Sequence, residues 1–442
     1  MRNVLPFVAA LTVLVAALAT NTGAGAAGGD DGVKLNQIQV VGSHNSYHLR
    51  STQAEYEVRQ GVAPEYNVGL DYEHPALGIQ FSSQRVRQIE LDLFADPHGG
   101  LYSDPLIRSF AGEGPLPAAE KAVMDAPGIK VLHAQDVDYR SNCLTFVACL
   151  TAVKTWSDAN PAHAPIAILL ELKDDAIPIV PSPPAVTPIP WTSANMTNID
   201  AEIDSVFDAG EIIRPDDIRG AHATVNEGVL AGNWPTLGAS RGKVMFLMDN
   251  AGKQADYLAA YPGLHGADLF TNAQPGDPDA AFIERNTPTG TNLAEIQDLV
   301  RQGYVVRTRA DSDTIEARSN DTSTRDAALA SGAQWVSTDY PGPGSAALLG
   351  STYSVEIPGG VTARCNPVNG PTGCVDAALD TVPVEPLPPG ALGTNWVTTP
   401  PTTTPPSSAP PTTGSPTTRP GHTSGSTAPV ATPISARPRF TG

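Results

Sequence analysis

The sequence predicts an α/β fold, a (β/α)8 TIM-type barrel, and three observations predict it. Eight β-rich apolar runs recur along the chain, at residues 38–41, 86–93, 129–133, 166–172, 243–248, 268–271, 304–309 and 334–338. Helix-like segments at 118–125, 145–160, 198–208, 280–286, 291–302 and 325–331 fall between them. Four of the first runs stop at ionisable or amide side chains, as the carboxyl ends of barrel strands do where they build a site. Continuous apolar strands alternating with helices imply a parallel sheet covered on both faces. An open doubly wound sheet is the alternative. It is disfavoured because no glycine-rich phosphate loop follows the first run and the acidic groups recur at successive strand ends.

In chain order, residues 1–27 carry one early charge at Arg2, an apolar stretch over 4–19 and a run of small residues, which reads as a secretory signal peptide cleaved near Ala26 or Ala27. The apolar core is shorter than the ~20 residues of a spanning helix. The barrel is expected over 33–350. Its long loops, 50–82, 97–117 and a proline-dense insertion at 177–190, follow the first, second and fourth runs, on the face where barrel enzymes carry their sites. A small extension over 351–386 comes next. From 387 to 442 the chain turns to Pro, Thr and Ser with almost no large apolar residue, a composition that cannot offset its ordering entropy and predicts a disordered tail.

The formal charge is −19 over 442 residues, and the tail contributes only Arg419, Arg437 and Arg439, so the remainder carries −22. An acidic body argues against nucleic acid as a partner and suits a protein that holds a cation. The four cysteines form two close pairs, Cys143 with Cys149 and Cys365 with Cys374, and local pairing is the economical choice among three connectivities in a secreted chain. Neither pair has the spacing of a zinc site.

The chemistry concentrates at strand ends. The first run, QIQVVGSHNSY, delivers His44 and Asn45; the second, in VRQIELDLFAD, delivers Glu90 and Asp92; IKVLHAQD delivers His133; PIAILLELKDD delivers Glu171. Glu90 and Asp92 lie two apart on a strand and so share a side. Carboxylates this close need a positive charge between them, and oxygen-only ligands from Asn45, Glu90, Asp92 and Glu171 suit Ca2+ ahead of Mg2+ and far ahead of zinc. Alternatively the two acids of the second run pair with Arg85 or Arg87. His44 and His133 are the general acid and base candidates, since imidazole reaches either protonation state near neutral pH. His98, in DPHGG, is a rival for the second place. Lys173, on the face of Glu171, and Arg309, closing the seventh run, are candidates to neutralise a phosphate oxygen, or equally structural ion-pair partners. Asp249 and Asp339 close the fifth and eighth runs and can orient a hydroxyl or a histidine. The GASRG stretch at 238–242 matches a nucleophile-elbow pattern, but it precedes a strand where an elbow follows one, which argues against Ser240.

Taken together, HNSY, ELD, VLHAQD and LLELKD, with DYRSNCLTF and STDYP, resemble the secreted bacterial calcium-dependent phosphatidylinositol-specific phospholipases C, over about 33–350. The resemblance implies a (β/α)8 barrel in which His44 is a catalytic histidine, Asn45 a calcium ligand, Glu90 and Asp92 further ligands, His133 the second acid/base group and Glu171 a ligand or base. It implies cleavage of phosphatidylinositol-type phospholipids to diacylglycerol and an inositol phosphate, cyclic or open, by a monomer that meets the membrane surface transiently and is secreted or associated with the cell surface. A glycerophosphodiester phosphodiesterase is the nearest rival, and it is expected to show an HRG turn where this chain has HNS. A secreted calcium-binding protein that keeps the barrel without turnover is the rival from another class.

Overall fold

The computed structural model describes residues 32–177 and 183–393. The signal-peptide assignment, most of the tail and part of the 177–190 insertion lie outside the described residues. Eight parallel strands build the barrel: β1 (Ile38–Ser43), β2 (Gln88–Phe94), β4 (Ile166–Leu172), β5 (Val244–Met248), β6 (Leu269–Phe270), β7 (Phe282–Glu284), β8 (Val305–Arg309) and β9 (Trp335–Thr338). Two short antiparallel strands, β3 (Lys130–Val131) and β10 (Ala363–Cys365), are added to β2 and β1. The sheet runs β6-β5-β4-β2-β1-β9-β8-β7, and a parallel bridge between Asn272 and Phe282 joins its two ends.

These strands form where apolar residues run unbroken, because both faces are covered. In β4, IAILLEL, all seven residues are buried. Gly42 in β1 is required by a close approach: a Cβ there would meet the buried Gln88 side chain at 1.8 Å. Helices between strands are capped in ordinary ways. Thr145 accepts a hydrogen bond from the Ala148 amide at the start of Phe146–Ala159. Asn292–Gln302 and Ser323–Ser331 end at Gly303 and Gly332, both with positive φ.

Three expectations are corrected. The run at 129–133 is not a barrel strand: β3 pairs antiparallel with the far tip of β2, Val131 beside Leu93 and Lys130 beside Phe94. The segment 280–286, expected as a helix, holds β7. Its AAFIERN composition is too short for hydrophobic period to separate a buried strand from a helix. The 50–82 stretch, expected as a loop, carries three helices, Gln53–Val62, Pro64–Gly69 and Leu77–Ser83. The disulfides are Cys143–Cys149 and Cys365–Cys374, the local pairings.

Tyr353 and Val355 pack just past the carboxyl ends of β8 and β9, the Tyr353 hydroxyl donating to the Ala310 carbonyl (3.0 Å), and the chain from 363 onward lies at the opposite end of the barrel from the strand tips that carry the acids. There β10 pairs with Ile38–Val40 of β1, and Asp380 forms a buried ion pair with Arg87 at 2.6 Å while accepting the Ala164 amide. Just before β4, His163 is fully buried, with Nδ1–H donating to its neighbour's carbonyl at Ala164 (2.6 Å) and Nε2 2.7 Å from the Ser157 hydroxyl. Burial lowers its pKa to about 4. An unfolded histidine titrates near 6.5, so the unfolded chain takes up this proton first as pH falls. The stability from the neutral ring is therefore complete above that value and drains away between it and about 4. Replacing His163 with Gln is expected to remove roughly 2 kcal/mol of the stability difference between pH 7 and pH 5, measured by urea unfolding of variant and parent at both pH values.

Candidate active site

The site starts from the turn that leaves β1. Ser43 to Tyr47 folds back onto β2: the Ser46 amide donates to the Glu90 carbonyl (3.0 Å) and the Glu90 amide donates to Ser46 Oγ (2.8 Å). Asn45 takes a positive φ of 43°, a conformation asparagine tolerates better than most residues, and its side chain is buried. This stapled turn places His44 and Asn45 beside the inward face of β2.

That face presents Glu90 and Asp92, and Glu171 stands opposite Asp92 across the β2/β4 ladder. One carboxylate oxygen from each of the three lies within 4.8 Å of the others. Glu90 Oε1, Asp92 Oδ1 and Asn45 Oδ1 are buried and accept no hydrogen bond. Burial drives the pKa of Asp92 and Glu171 up, Lys173 opposes the rise, and the neighbouring carboxylates add to it. Orphaned hard oxygens gathered in this way fit a divalent cation of the calcium type, which takes carboxylate and amide oxygens in flexible geometry.

Two cations already serve these acids. Lys173 Nζ lies 2.6 Å from Glu171 and 3.2 Å from Asp92. Burial works against its charge, yet the two carboxylates hold its pKa above the ordinary lysine value. From β8, fully buried Arg307 reaches across the barrel interior to Glu90 Oε2 and binds Glu284 Oε1 and Asn286 Oδ1, each at 2.6 Å. Arg307 occupies the second oxygen of Glu90, which leaves Oε1 as the one turned toward His44.

Each of the two histidines is backed by a carboxylate. His44 Nδ1–H donates to Asp339 Oδ1 (2.6 Å), and Arg309 Nη2 stands 3.6 Å from the other oxygen of Asp339. His44 Nε2 is 3.7 Å from Glu90 Oε1 and makes no hydrogen bond. Burial, and then Arg309, hold the His44 pKa well below its ordinary value, so the ring is neutral at pH 7 with Nε2 bare. His133 Nδ1–H donates to Asp138 Oδ2 (2.9 Å), and the ring is half-buried. Burial lowers its pKa and Asp138 resists the shift. His133, Glu171, Lys173, Asp249 and Glu284 line one cavity of about 660 Å³, with Tyr66 beside His133.

The phosphoinositide phospholipase C, Ca2+-dependent family matches residues 33–367. The chain belongs to that family. It is a phosphoric diester hydrolase that cleaves phosphatidylinositol as a phospholipase C. Solved structures with a similar course include a calcium-dependent phosphoinositol-specific phospholipase C from Pseudomonas sp, at 17% identity over 76% of this chain and 96% of that one, TM-score 0.45. Another is a Ca2+-dependent phosphatidylinositol-specific phospholipase C from Streptomyces antibioticus, at 20% identity over 72% of this chain and 97% of that one, TM-score 0.42. No curated protein matches the chain.

In this phospholipase C the expected residues fall into groups. Glu90, Asp92 and Glu171 form one cluster with His44 Nε2 beside Glu90 and Asn45 next to His44 in the turn, while His133, Glu171 and Lys173 line the cavity. The Lys173 ammonium is drawn into the acid cluster. Arg309 is turned to Asp339 and His44. His98 stands on an exposed turn after β2, away from the cavity. Arg85 binds Glu356 and Arg87 binds Asp380, so neither balances Glu90 or Asp92. Asp339 orients a histidine; Asp249 lines the cavity with a buried oxygen that accepts no hydrogen bond. Ser240 is buried in a four-residue helix and donates to the Thr236 carbonyl (2.9 Å), which does not make a nucleophile.

Arg307, Glu284, Asp138 and His48 were not singled out for the site by sequence. Arg307 had a signal, since it lies two residues before Arg309 and shares its side of β8. Glu284 was hidden by the helix expectation for its segment. Breaking the buried Glu90–Arg307–Glu284 chain strands two carboxylates in the barrel. Arg307→Met is therefore expected to lower stability by roughly 3 kcal/mol or more, read from denaturant unfolding in the presence of chelator.

Proposed function

We propose that this phospholipase C works with one calcium ion held by Asn45, Glu90, Asp92 and Glu171, with His44 and His133 as its proton-transfer groups. The observation that carries this reading is the set of three buried oxygens without hydrogen bonds, from Asn45, Glu90 and Asp92, placed beside a carboxylate-backed imidazole. A calcium ion bound there would lower the pKa of the inositol 2-hydroxyl and neutralise charge on the phosphoryl oxygens.

The rest of the chemistry belongs to the chain. Bare His44 Nε2 accepts the proton of the inositol 2-hydroxyl as that oxygen attacks phosphorus, and Asp339 stabilises the imidazolium that forms. His133 enters the step as the imidazolium, with Nδ1–H held by Asp138, and delivers its Nε2 proton to the departing diacylglycerol oxygen. The P–O bond to the glycerol breaks as the bond to the ring oxygen forms, which leaves a cyclic inositol phosphate that water can open. Lys173 borders the cavity from the acid side, and a cation that takes over Asp92 and Glu171 would free its ammonium to meet the phosphate.

The lipid surface is reached by the rim. Val62 and Ile315 are 66% and 63% exposed, unusual for their kind. Val62 ends the helix Gln53–Val62 after β1 and Ile315 opens the helix Ile315–Ser319 after β8, and Thr314 Oγ1 donates to the Val68 carbonyl of the next helix, Pro64–Gly69. Apolar rim contacts suit a monomer whose acidic body is repelled by anionic lipid. No helix among the described residues is long and apolar enough to cross a membrane. Two disulfides suit secretion into an oxidising compartment.

Release of inositol phosphate from phosphatidylinositol vesicles is expected to stop in excess chelator, to return with added calcium and to return poorly with magnesium. Full activity in chelator contradicts the proposal. Within the same assay, His133→Gln is expected to lower kcat on the order of 100-fold or more, while His98→Gln stays within about twofold. The reverse order would give the second histidine role to His98.

A further inference from the structure

Asp311, two residues past the end of β8, is 1% exposed and gathers three hydrogen bonds on one carboxylate. The Asp339 amide donates to Oδ1 (2.9 Å), and the hydroxyls of Thr338 and Tyr353 donate to Oδ2, the second of them at 3.1 Å. The Asp311 carbonyl accepts Arg309 Nε (3.1 Å). Three of these four partners touch the His44–Asp339 pair. Thr338 closes β9, and its carbonyl accepts the His44 amide (2.8 Å). Asp339 accepts His44 Nδ1–H (2.6 Å). Arg309 Nη2 stands 3.3 Å from His44 Nδ1 and 3.6 Å from the other oxygen of Asp339. The fourth, Tyr353, comes from the segment after the barrel, where its hydroxyl also reaches the Ala310 carbonyl and its ring meets Tyr340 edge-on, centroids 5.9 Å apart.

A carboxylate is a costly group to keep at this place. Burial and then the charge of Asp339 push the Asp311 pKa up to about 7, and the donors and Arg309 oppose the rise. An asparagine would fill the same space, but its NH2 group would face a hydroxyl or an amide that is itself donating; an ionised carboxylate accepts from all three. We propose that Asp311 is a positioning residue for the reaction: seated by Tyr353, it fixes the turn after β9 so that the Asp339 carboxylate lies against His44 Nδ1. The inference rests on the role proposed for His44. Of the three donors only Tyr353 lies outside the end of β9, which gives the segment after the barrel a part in the chemistry.

The test is a double-mutant cycle with a structure beside it, both on the intact enzyme. Asp311→Asn is expected to lower kcat about tenfold with KM within about twofold, because a displaced Asp339 misaligns the base without touching the substrate's other contacts. In an Asp339→Asn background the same substitution is expected to cost less than about twofold, since residues that act through one group do not add. Losses that multiply overturn the proposal, because a purely structural role weakens both backgrounds alike. The crystal structure of Asp311→Asn is expected to show the Asp339 carboxylate turned off His44 Nδ1 on an unchanged barrel. An undisturbed pair overturns the proposal even where the rate falls. Should Asp311→Asn fail to fold, Tyr353→Phe, which keeps the ring and removes one donor, is read in the same cycle, with a smaller loss expected and the same two results overturning the proposal. Full activity in Asp339→Asn would remove the reading of His44 and this proposal with it, whereas multiplying losses on an impaired Asp339→Asn enzyme overturn the proposal alone.

Discussion

Three carboxylates that cannot comfortably share one space set the terms for the rest of this protein. Glu90, Asp92 and Glu171 are brought within 4.8 Å of each other because they project into the mouth from neighbouring strands, Asp92 and Glu171 in direct register. Like charges buried at that distance need compensation. The fold supplies it from two sides: Arg307 crosses the interior from β8 to take one oxygen of Glu90, and Lys173 bridges Asp92 and Glu171. What remains uncompensated is a patch of oxygens facing His44 and the Asn45 amide. A divalent cation held as proposed would complete that balance, and the metal, the fold and the chemistry would then answer to one electrostatic requirement.

The two histidines are held by different means. His44 leans on Asp339 from the last barrel strand's end, so its orientation depends on closure of the barrel between β1 and β9. His133 leans on Asp138, five residues on in the same loop, and that loop is carried by β3, an antiparallel addition above the rim. The loop is secured from outside: the Asn142 amide donates to the Tyr47 carbonyl and its side chain to the Ser46 carbonyl, with the Cys143–Cys149 disulfide immediately after. One histidine thus belongs to the barrel and the other to a clamp fastened onto the first turn.

Much of this was readable from residues alone where local pattern and final environment agree. HNSY, ELD and LLELKD end long apolar runs, and a strand in a covered parallel sheet has one way to present its terminal polar residues. The acids of the cluster and the first histidine follow from that. Legibility failed where the same pattern admits two environments. The 129–133 run has the composition of a barrel strand but is spent on the tip of β2, and His133 reaches the cavity by a different route from the one its position suggested. FIE in β7 is too short for periodicity to speak, so Glu284 went unseen, and with it the reason Arg307 is buried. His48 and Asp138 meet across a long sequence interval, and no spacing rule joins an HxxxH turn to an acid in a later loop.

The most direct test of the central claim is a crystal structure of the enzyme grown with calcium, using anomalous scattering to place the ion. One cation is expected within coordination distance of Asn45 Oδ1 and of oxygens from Glu90, Asp92 and Glu171, with His44 Nε2 beside it. A cation bound elsewhere, with Lys173 still bridging Asp92 and Glu171 and the amide of Asn45 uncoordinated, would contradict it.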